Sequence, residues 1–302
     1  MNLPNFLCVG AQKSGTTTLQ EILIQHPNIY LPKRKETHFF DNGDIHYAKG
    51  ISWYSSEYFS AVKHEQAIGE ISTNYMFLDY VPKRIYEELG PDIKLIFILR
   101  DPAKRAYSQF MMNKQNFFET ETFETALELE NKRILKDEYH KKIFGYATRG
   151  LYAEQIKRFL EYFPREQMFF IIFETDFLDN KEQTMQELCH FLELSPYDFQ
   201  LDIKKNIMSR PGYKWVHDIL YSPTWAWIRR PFKFFIDSEQ KREWIKFKIR
   251  GLNKKKITSK ESTSIKRETY VSLQKYFLND IQLLEEITHK DLSHWTYQEK
   301  EK

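Results

Sequence analysis

The chain has only two cysteines in 302 residues, Cys8 and Cys189. Both sit inside apolar runs. Two are too few for a disulfide framework or a zinc site, and they suit a reducing compartment. Long hydrophobic runs are also missing. The longest, Leu95–Leu99 and Met168–Phe173, are strand-length, whereas a membrane span needs about 20 apolar residues. The opening MNLPNFLCVG has no basic segment followed by an apolar one, so no secretion signal is expected. Repeats and low-complexity tracts are absent. With 41% hydrophobic and 29% charged residues, a disordered chain is excluded. Aromatic residues are plentiful: 24 Phe, 18 Tyr and 6 Trp, 16% of the chain, enough for a large aromatic core.

The net charge of +3 hides an asymmetry. Ile203–Lys260 holds 16 Lys and Arg against 4 Asp and Glu, leaving 29 basic against 38 acidic residues elsewhere. One stretch thus carries all the positive excess, which implies an anionic partner or a solvated basic face.

Along the chain, Asn5–Val9 reads as a buried strand stopping at Gly10, and Thr16–Gln25 as a helix ended before Pro27. A short strand follows at Ala67–Gly69. Lys94–Leu99 is a continuous apolar strand of the kind that parallel sheets bury on both faces. It ends in Arg100-Asp101-Pro102, and a helix begins near Ala103. Phe123–Leu135 and Tyr152–Tyr162 read as amphipathic helices, Met168–Phe173 as a strand, Lys181–Leu192 as a helix and Lys266–Thr288 as a final helix. The order predicts a single α/β domain over 1–302 with a central, mostly parallel sheet flanked by helices. Within it, 206–256 reads as a basic, aromatic helical subdomain and 266–302 as a C-terminal helix and tail. The segment 213–256, rich in Trp and Phe among Lys and Arg, suits a peripheral membrane contact or an acceptor groove.

The strongest local signal is Gly10-Ala-Gln-Lys13-Ser14-Gly15-Thr16-Thr17-Thr18, between a strand and a helix. Backbone N–H groups of such a turn, with the helix N-terminus, form an anion cradle. Gly15 allows close backbone approach. The pattern approaches the nucleotide phosphate loop G-x-x-x-x-G-K-[ST]. However, Thr16 stands at the lysine position, the lysine comes earlier at Lys13, and no Mg²⁺-binding acid follows the apolar strand. The loop reads as an anion site with no metal required. Arg100 and Ser108 form a second anchor, because ligands of open α/β sheets bind at the carboxyl ends of the strands and an arginine with a serine can hold one phosphate.

Together the two segments resemble the 5′-phosphosulfate loop and 3′-phosphate motif of sulfotransferases that use 3′-phosphoadenosine-5′-phosphosulfate (PAPS). Lys35-Glu-Thr-His-Phe-Phe-Asp41 is similar to the K-E-P-H-F-F-D segment of heparan-sulfate glucosaminyl 3-O-sulfotransferases, and less closely to the N-sulfotransferase counterpart. Gly150-Leu-Tyr-Ala-Glu-Gln, Phe163-Pro-Arg-Glu-Gln and Asp291-Leu-Ser-His-Trp295 match later family segments, the last an ending of bacterial members. The resemblance is weakest over Asp198–Ile265.

The resemblance implies a P-loop-like sulfotransferase fold and transfer of a sulfuryl group from PAPS to a hydroxyl or amine of a carbohydrate or glycoconjugate, releasing 3′-phosphoadenosine-5′-phosphate (PAP). It assigns Lys13 to the leaving bridge oxygen, Ser14, Gly15, Thr16, Thr17 and Thr18 to the phosphosulfate, and Arg100 and Ser108 to the 3′-phosphate. Glu36 becomes the general base, tuned by burial, with His38 assisting. Lys35, Asp41, Glu70 and Tyr75 fall to the acceptor. No metal and no nucleic acid enter. The partner is a saccharide or glycolipid acceptor, and the expected location is the cytoplasm, with peripheral contact at the inner membrane face. His46 and His64 read as surface residues. Two departures count against a heparan-type acceptor. Ile71 stands where the animal enzymes have a substrate lysine, and the two cysteines of their C-terminal loop are absent. The alternatives are a nucleotide kinase or other phosphotransferase, and a non-catalytic polyanion-binding protein.

Overall fold

A computed structural model of the protein describes residues 1–202, 209–211, 254–256 and 264–297. The apolar pentapeptide Phe6–Gly10 forms β1, buried along its whole length. It is flanked by parallel partners, β3 (Ala67–Ile71), with Phe6 opposite Gly69, and β4 (Lys94–Leu99), with Phe6 opposite Lys94. β5 (Met168–Ile172) adds to β4, and the short β2 (Ile29–Tyr30) adds to β3, both in parallel. The sheet order is β2-β3-β1-β4-β5. This is the α/β architecture with a parallel central sheet that the sequence pattern calls for. Every strand of this sheet ends at the same edge, which is where the candidate site residues gather. Gly69 is required by packing: a Cβ there would lie 2.1 Å from the Phe6 ring.

Helices cover both faces. On one, α1 (Thr16–Leu23) and α10 (Lys181–Phe191) pack Leu19, Ile22, Leu23, Met185, Leu188 and Cys189 against Cys8, Ile96, Ile98 and Ile171 of the sheet. On the other, Phe159 of α9 (Tyr152–Leu160) meets Phe97 edge-on at 5.3 Å, and Phe97 stacks on Phe170 at 5.1 Å. Each such side chain contributes about 1.5–3 kcal/mol through burial. The thiols Cys8 and Cys189 are unbridged and buried within this core.

Between the strands run α2 (Gly43–Tyr47), α3 (Gly50–Tyr58), α4 (Val81–Leu89) and α5 (Pro102–Gln115). α4 starts with Pro in its first turn and ends at Gly90, the start and stop signals of a helix. The expected helix over Phe123–Leu135 is interrupted: α6 (Phe123–Glu128) and α7 (Glu130–Ile134) meet at Leu129, and α8 (Glu138–Phe144) follows. Thr122 caps α6 by accepting from Thr125 N–H at 3.3 Å.

The long α11 (Arg267–Thr288) docks on α9 through a buried carboxylate. Asp280 accepts from the N–H groups of Ala153 (3.1 Å) and Glu154 (3.4 Å) at the first turn of α9. Burial pushes Asp280 up to about 6, against those hydrogen bonds. Arg165 closes the far end of α11 by donating to the carbonyls of Ile287 (2.9 Å) and Thr288 (3.2 Å).

By contact density the chain divides into two compact units. The larger comprises Met1–Gln109, Gly145–Lys204 and Ile265–Lys302, and holds the five-stranded sheet. The smaller comprises Phe110–Phe144 and Lys205–Ser264. It contains an ion pair of Arg133 with Glu119 at 2.6 Å and an antiparallel ladder of β6 (Ser209–Pro211) with β7 (Lys254–Lys256). Apart from that ladder, the basic aromatic stretch 206–256 lies outside the described residues. No helix among the described residues is long and apolar enough to cross a membrane.

Candidate active site

The loop after β1 is held from two sides. Ala11 N–H donates to Ile98 of β4 at 2.7 Å, and Met76 N–H donates to Val9 at 2.9 Å. Gly15 sits at the N-cap of α1 with φ of 99°, a left-handed conformation that costs glycine little. A Cβ there would also lie 2.8 Å from the Phe173 ring. α1 carries no acidic residue in its first turn and no side-chain cap, so the first N–H groups of the helix point out of it without intrahelical partners. Ser14 and Thr16 are buried, and Thr17 is exposed.

Four cations surround this loop. Lys13 follows Gln12 with φ of 71°. Burial pushes its ammonium below the ordinary lysine value, and the positive charges of Arg100, Lys35 and Arg105 add to that push. Lys35, expected at the acceptor, instead reaches the loop: its Nζ donates to Thr16 Oγ1 and Thr17 Oγ1, each at 3.0 Å. Burial lowers its pKa as well, opposed chiefly by Glu36. Arg100, at the end of β4, donates to the Lys13 carbonyl at 3.2 Å and lies 5.1 Å from the Phe173 ring. Its buried Nε makes no hydrogen bond, and the Glu174 carboxylate stands 4.0 Å away. Arg105 is fully buried on α5 and donates to Gln109 Oε1 and to the Tyr146 carbonyl. Asp101 caps α5 by accepting from the N–H groups of Ala103 (2.9 Å) and Lys104 (3.1 Å), and half-buried Ser108 lies further along that helix.

Within Lys35–Asp41, Thr37, Phe39, Phe40 and Asp41 are buried, while Lys35, Glu36 and His38 are only partly so: Lys35 turns to the loop, and Glu36 and His38 turn toward solvent. Glu36 accepts from Thr73 Oγ1 at 3.0 Å. Its side chain is 30% exposed, so it is open to solvent rather than enclosed as expected. His38 has φ of 57° and stands between two carboxylates. Its Nδ1 is 3.0 Å from Asp41, and its Nε2 is 3.6 Å from Glu36 Oε2. Burial pulls the imidazole pKa down, but the hydrogen bond and charge of Asp41 and the charge of Glu36 outweigh it and leave it raised. Lys13 and His38 are thus both held in a region that non-glycine residues seldom occupy, a form of strain that concentrates at functional sites.

Glu70 and Tyr75 do not fit contact with an acceptor, since both are fully buried. Glu70 accepts from the hydroxyls of Thr37 (2.8 Å), Tyr75 (2.7 Å), Tyr54 and Ser72. Burial raises its pKa against these four hydrogen bonds. The cluster ties the Lys35–Asp41 segment to β3. Asp41 is likewise buried and pairs with His38 Nδ1 at 3.0 Å. His46 is buried too, not a surface residue: its Nδ1 is 3.2 Å from the His38 carbonyl, and its ring is 5.4 Å from Trp53. His64 is exposed as expected. Sequence reasoning missed Thr73, Arg105 and Glu174. Glu174 follows β5 directly, so the rule that placed Arg100 at the carboxyl edge could have found it.

The arrangement is an anion cradle of hydroxyls, helix N–H groups and cations, with a carboxylate–imidazole–carboxylate row leading from the same segment as Lys35. Among the described residues no cluster of His, Cys, Asp or Glu could hold a metal ion. Such a cradle on a parallel α/β sheet suits phosphate- or sulfate-bearing groups. The chain belongs to the sulfotransferase-domain family, whose model matches residues 3–210. A solved sulfotransferase from Alicyclobacillus acidocaldarius has a similar structure, with a TM-score of 0.69, 27% identity, and coverage of 98% of this chain and 99% of that one. Mouse heparan sulfate glucosamine 3-O-sulfotransferase 5 is 32% identical over 207 residues, 68% of this chain and 57% of that protein. Mouse bifunctional heparan sulfate N-deacetylase/N-sulfotransferase 4 is 32% identical over 65% of this chain but only 23% of its own length. The chain thus spans little more than half of the first of these curated relatives.

Proposed function

We propose that the protein transfers a sulfuryl group from PAPS to a hydroxyl or amine of a carbohydrate or glycoconjugate, releasing PAP. The observation that carries this reading is the Lys35–Glu36 junction. One residue faces the anion loop and the next faces outward with His38, so donor and acceptor groups meet across a single peptide unit.

The residues fit PAPS. Its chemistry is a sulfuryl group activated by the phosphosulfate anhydride. Ser14 to Thr18 offer hydroxyl and N–H donors with no carboxylate among them. Lys13 supplies charge where negative charge grows on the bridge oxygen, which is electrostatic stabilisation of a transition state. Arg100 and Ser108 suit the 3′-phosphate. Glu36 takes the proton from the acceptor hydroxyl or amine as its oxygen or nitrogen bonds to sulfur. His38, fixed by Asp41, orients Glu36. The relatives' names favour a saccharide acceptor. Ile71 is buried and presents no cation, which separates this acceptor site from that of the heparan enzymes.

The test is incubation of the purified protein with radiolabelled PAPS and a panel of oligosaccharides, glycolipids and amino sugars. Label transfer that needs Lys13 supports the reading. PAPS binding with no transfer to any class, together with ATP-dependent phosphorylation, would replace it with a phosphotransferase.

A further inference from the structure

The C-terminal segment Asp291–Trp295 has no part in the account above, yet it ends against the donor site. We propose that Trp295 is a positioning residue for 3′-phosphate recognition, holding Arg100 in place through Glu174 and Tyr152. The inference rests on the donor-site reading of Arg100.

Trp295 is 1% exposed. Its indole Nε1–H donates to Glu174 Oε2 at 3.2 Å. The other oxygen of that carboxylate accepts from Asp101 N–H at 3.3 Å and lies 4.0 Å from Arg100 Nε. One carboxylate therefore bridges the indole and the guanidinium. The Trp295 ring lies 6.3 Å from the Tyr152 ring, and the Tyr152 hydroxyl donates to the Arg100 carbonyl at 3.0 Å. Trp295 thus adjoins both groups that fix Arg100, one at the side chain and one at the backbone. α11 holds the assembly twice more. Gln274 Nε2 donates to the Trp295 carbonyl at 2.9 Å, and Tyr270 donates to Asp101 Oδ2 at 2.5 Å. Lys290 pairs with Asp176 at 2.9 Å, anchoring the segment that follows β5.

A partly buried carboxylate that lacks donors would pull the nearby arginine into a closed, hydrogen-bonded ion pair. The indole and the Asp101 N–H satisfy Glu174 instead, so it stands off from Arg100. The guanidinium therefore keeps its orientation. A planar fork held in advance is what bidentate recognition of phosphate requires.

The test is calorimetric titration of wild type and Trp295→Phe with PAP and with adenosine 5′-monophosphate, which lacks the 3′-phosphate. Phe keeps an aromatic ring and removes the donor. The expected result is a loss of about tenfold in PAP affinity, the scale of one hydrogen bond to a charged group, with the monophosphate unaffected. An unchanged ratio of the two affinities, or an equal loss for both, overturns the positioning role. A wild type that binds both ligands equally overturns the donor reading itself, which separates the two failures. If Trp295→Phe does not fold, Glu174→Gln decides. It keeps an acceptor for the indole and removes the charge facing Arg100. A narrowed ratio supports the proposal, and a preserved one overturns it.

Discussion

Replacing Lys13 by Met should make the ligand-free protein more stable and nearly inactive at once. Burial and three neighbouring cations disfavour the Lys13 ammonium in the native state. Met keeps the length of the apolar stem and removes the charge. Removing an unfavourable charge commonly gains about 0.5–2 kcal/mol. For a chain of this size that corresponds to a rise of a few degrees in Tm. The pH dependence gives a second signature. The native pKa lies below the ordinary 10.5, so near that pH the unfolded chain binds more protons than the native state. Stability from this group therefore rises with pH between the native value and 10.5, and the penalty is full below that window. The gain in Lys13→Met should accordingly be largest at neutral pH and shrink in the alkaline range. With PAP bound the order should reverse, because the ligand's negative charge offsets the burial and the neighbouring cations that disfavour the ammonium. Turnover should fall about 100- to 1,000-fold, the scale for losing one transition-state donor. Differential scanning calorimetry at neutral and alkaline pH, with and without PAP, reads the stability terms, and label transfer from PAPS reads turnover. A lower Tm for the ligand-free variant would refute the electrostatic reasoning, and wild-type turnover would remove Lys13 from the chemistry.

Glu36→Gln keeps an acceptor for Thr73 but cannot take a proton, so turnover should fall by about 100-fold while PAP affinity by calorimetry stays at the wild-type level. Retained turnover would make His38 the next group to test as base. Asp41→Asn should lower the His38 pKa followed by NMR titration, because Asp41 supplies both the hydrogen bond and the nearest charge that raise it; an unmoved titration would contradict the assignment. Glu70→Gln places an amide N–H₂ among four hydroxyl donors and should cost about 2–4 kcal/mol in denaturant unfolding; an unchanged midpoint would show that the cluster does not anchor the Lys35–Asp41 segment.

The sheet was readable from the sequence where burial on both faces wrote continuous apolar runs. Lys94–Leu99 appears with the bounds it has in the structure, and β1 is displaced by one residue. The phosphate-type loop was readable because glycine, lysine and threonine sit between a strand and a helix. β2 escaped because its two residues carry no periodicity. The break in Phe123–Leu135 escaped because helical spacing continues through Leu129. At the site, residue type indicated the cradle but not the direction of each side chain. Lys35 reads equally as an acceptor or a donor contact until its reach to Thr16 and Thr17 is seen. Glu70 and Tyr75 look like site residues because they follow a strand end. Burial turns them inward, where Glu70 satisfies hydroxyls from three different segments. Trp295 and Glu174 are 121 residues apart in sequence, and only the fold brings them together.

The proposed donor site reads a 3′-phosphate with Arg100 and needs no metal. Calorimetric titration of wild type and Arg100→Ala with PAP and adenosine 5′-monophosphate, in the presence of a chelator, tests it most directly. The account expects wild type to prefer PAP by about 10- to 100-fold, the worth of a charged contact of roughly 1.5–3 kcal/mol, and Arg100→Ala to lose that preference while retaining its affinity for the monophosphate. Equal binding of the two ligands by wild type, or binding that appears only when Mg²⁺ is restored, would contradict it.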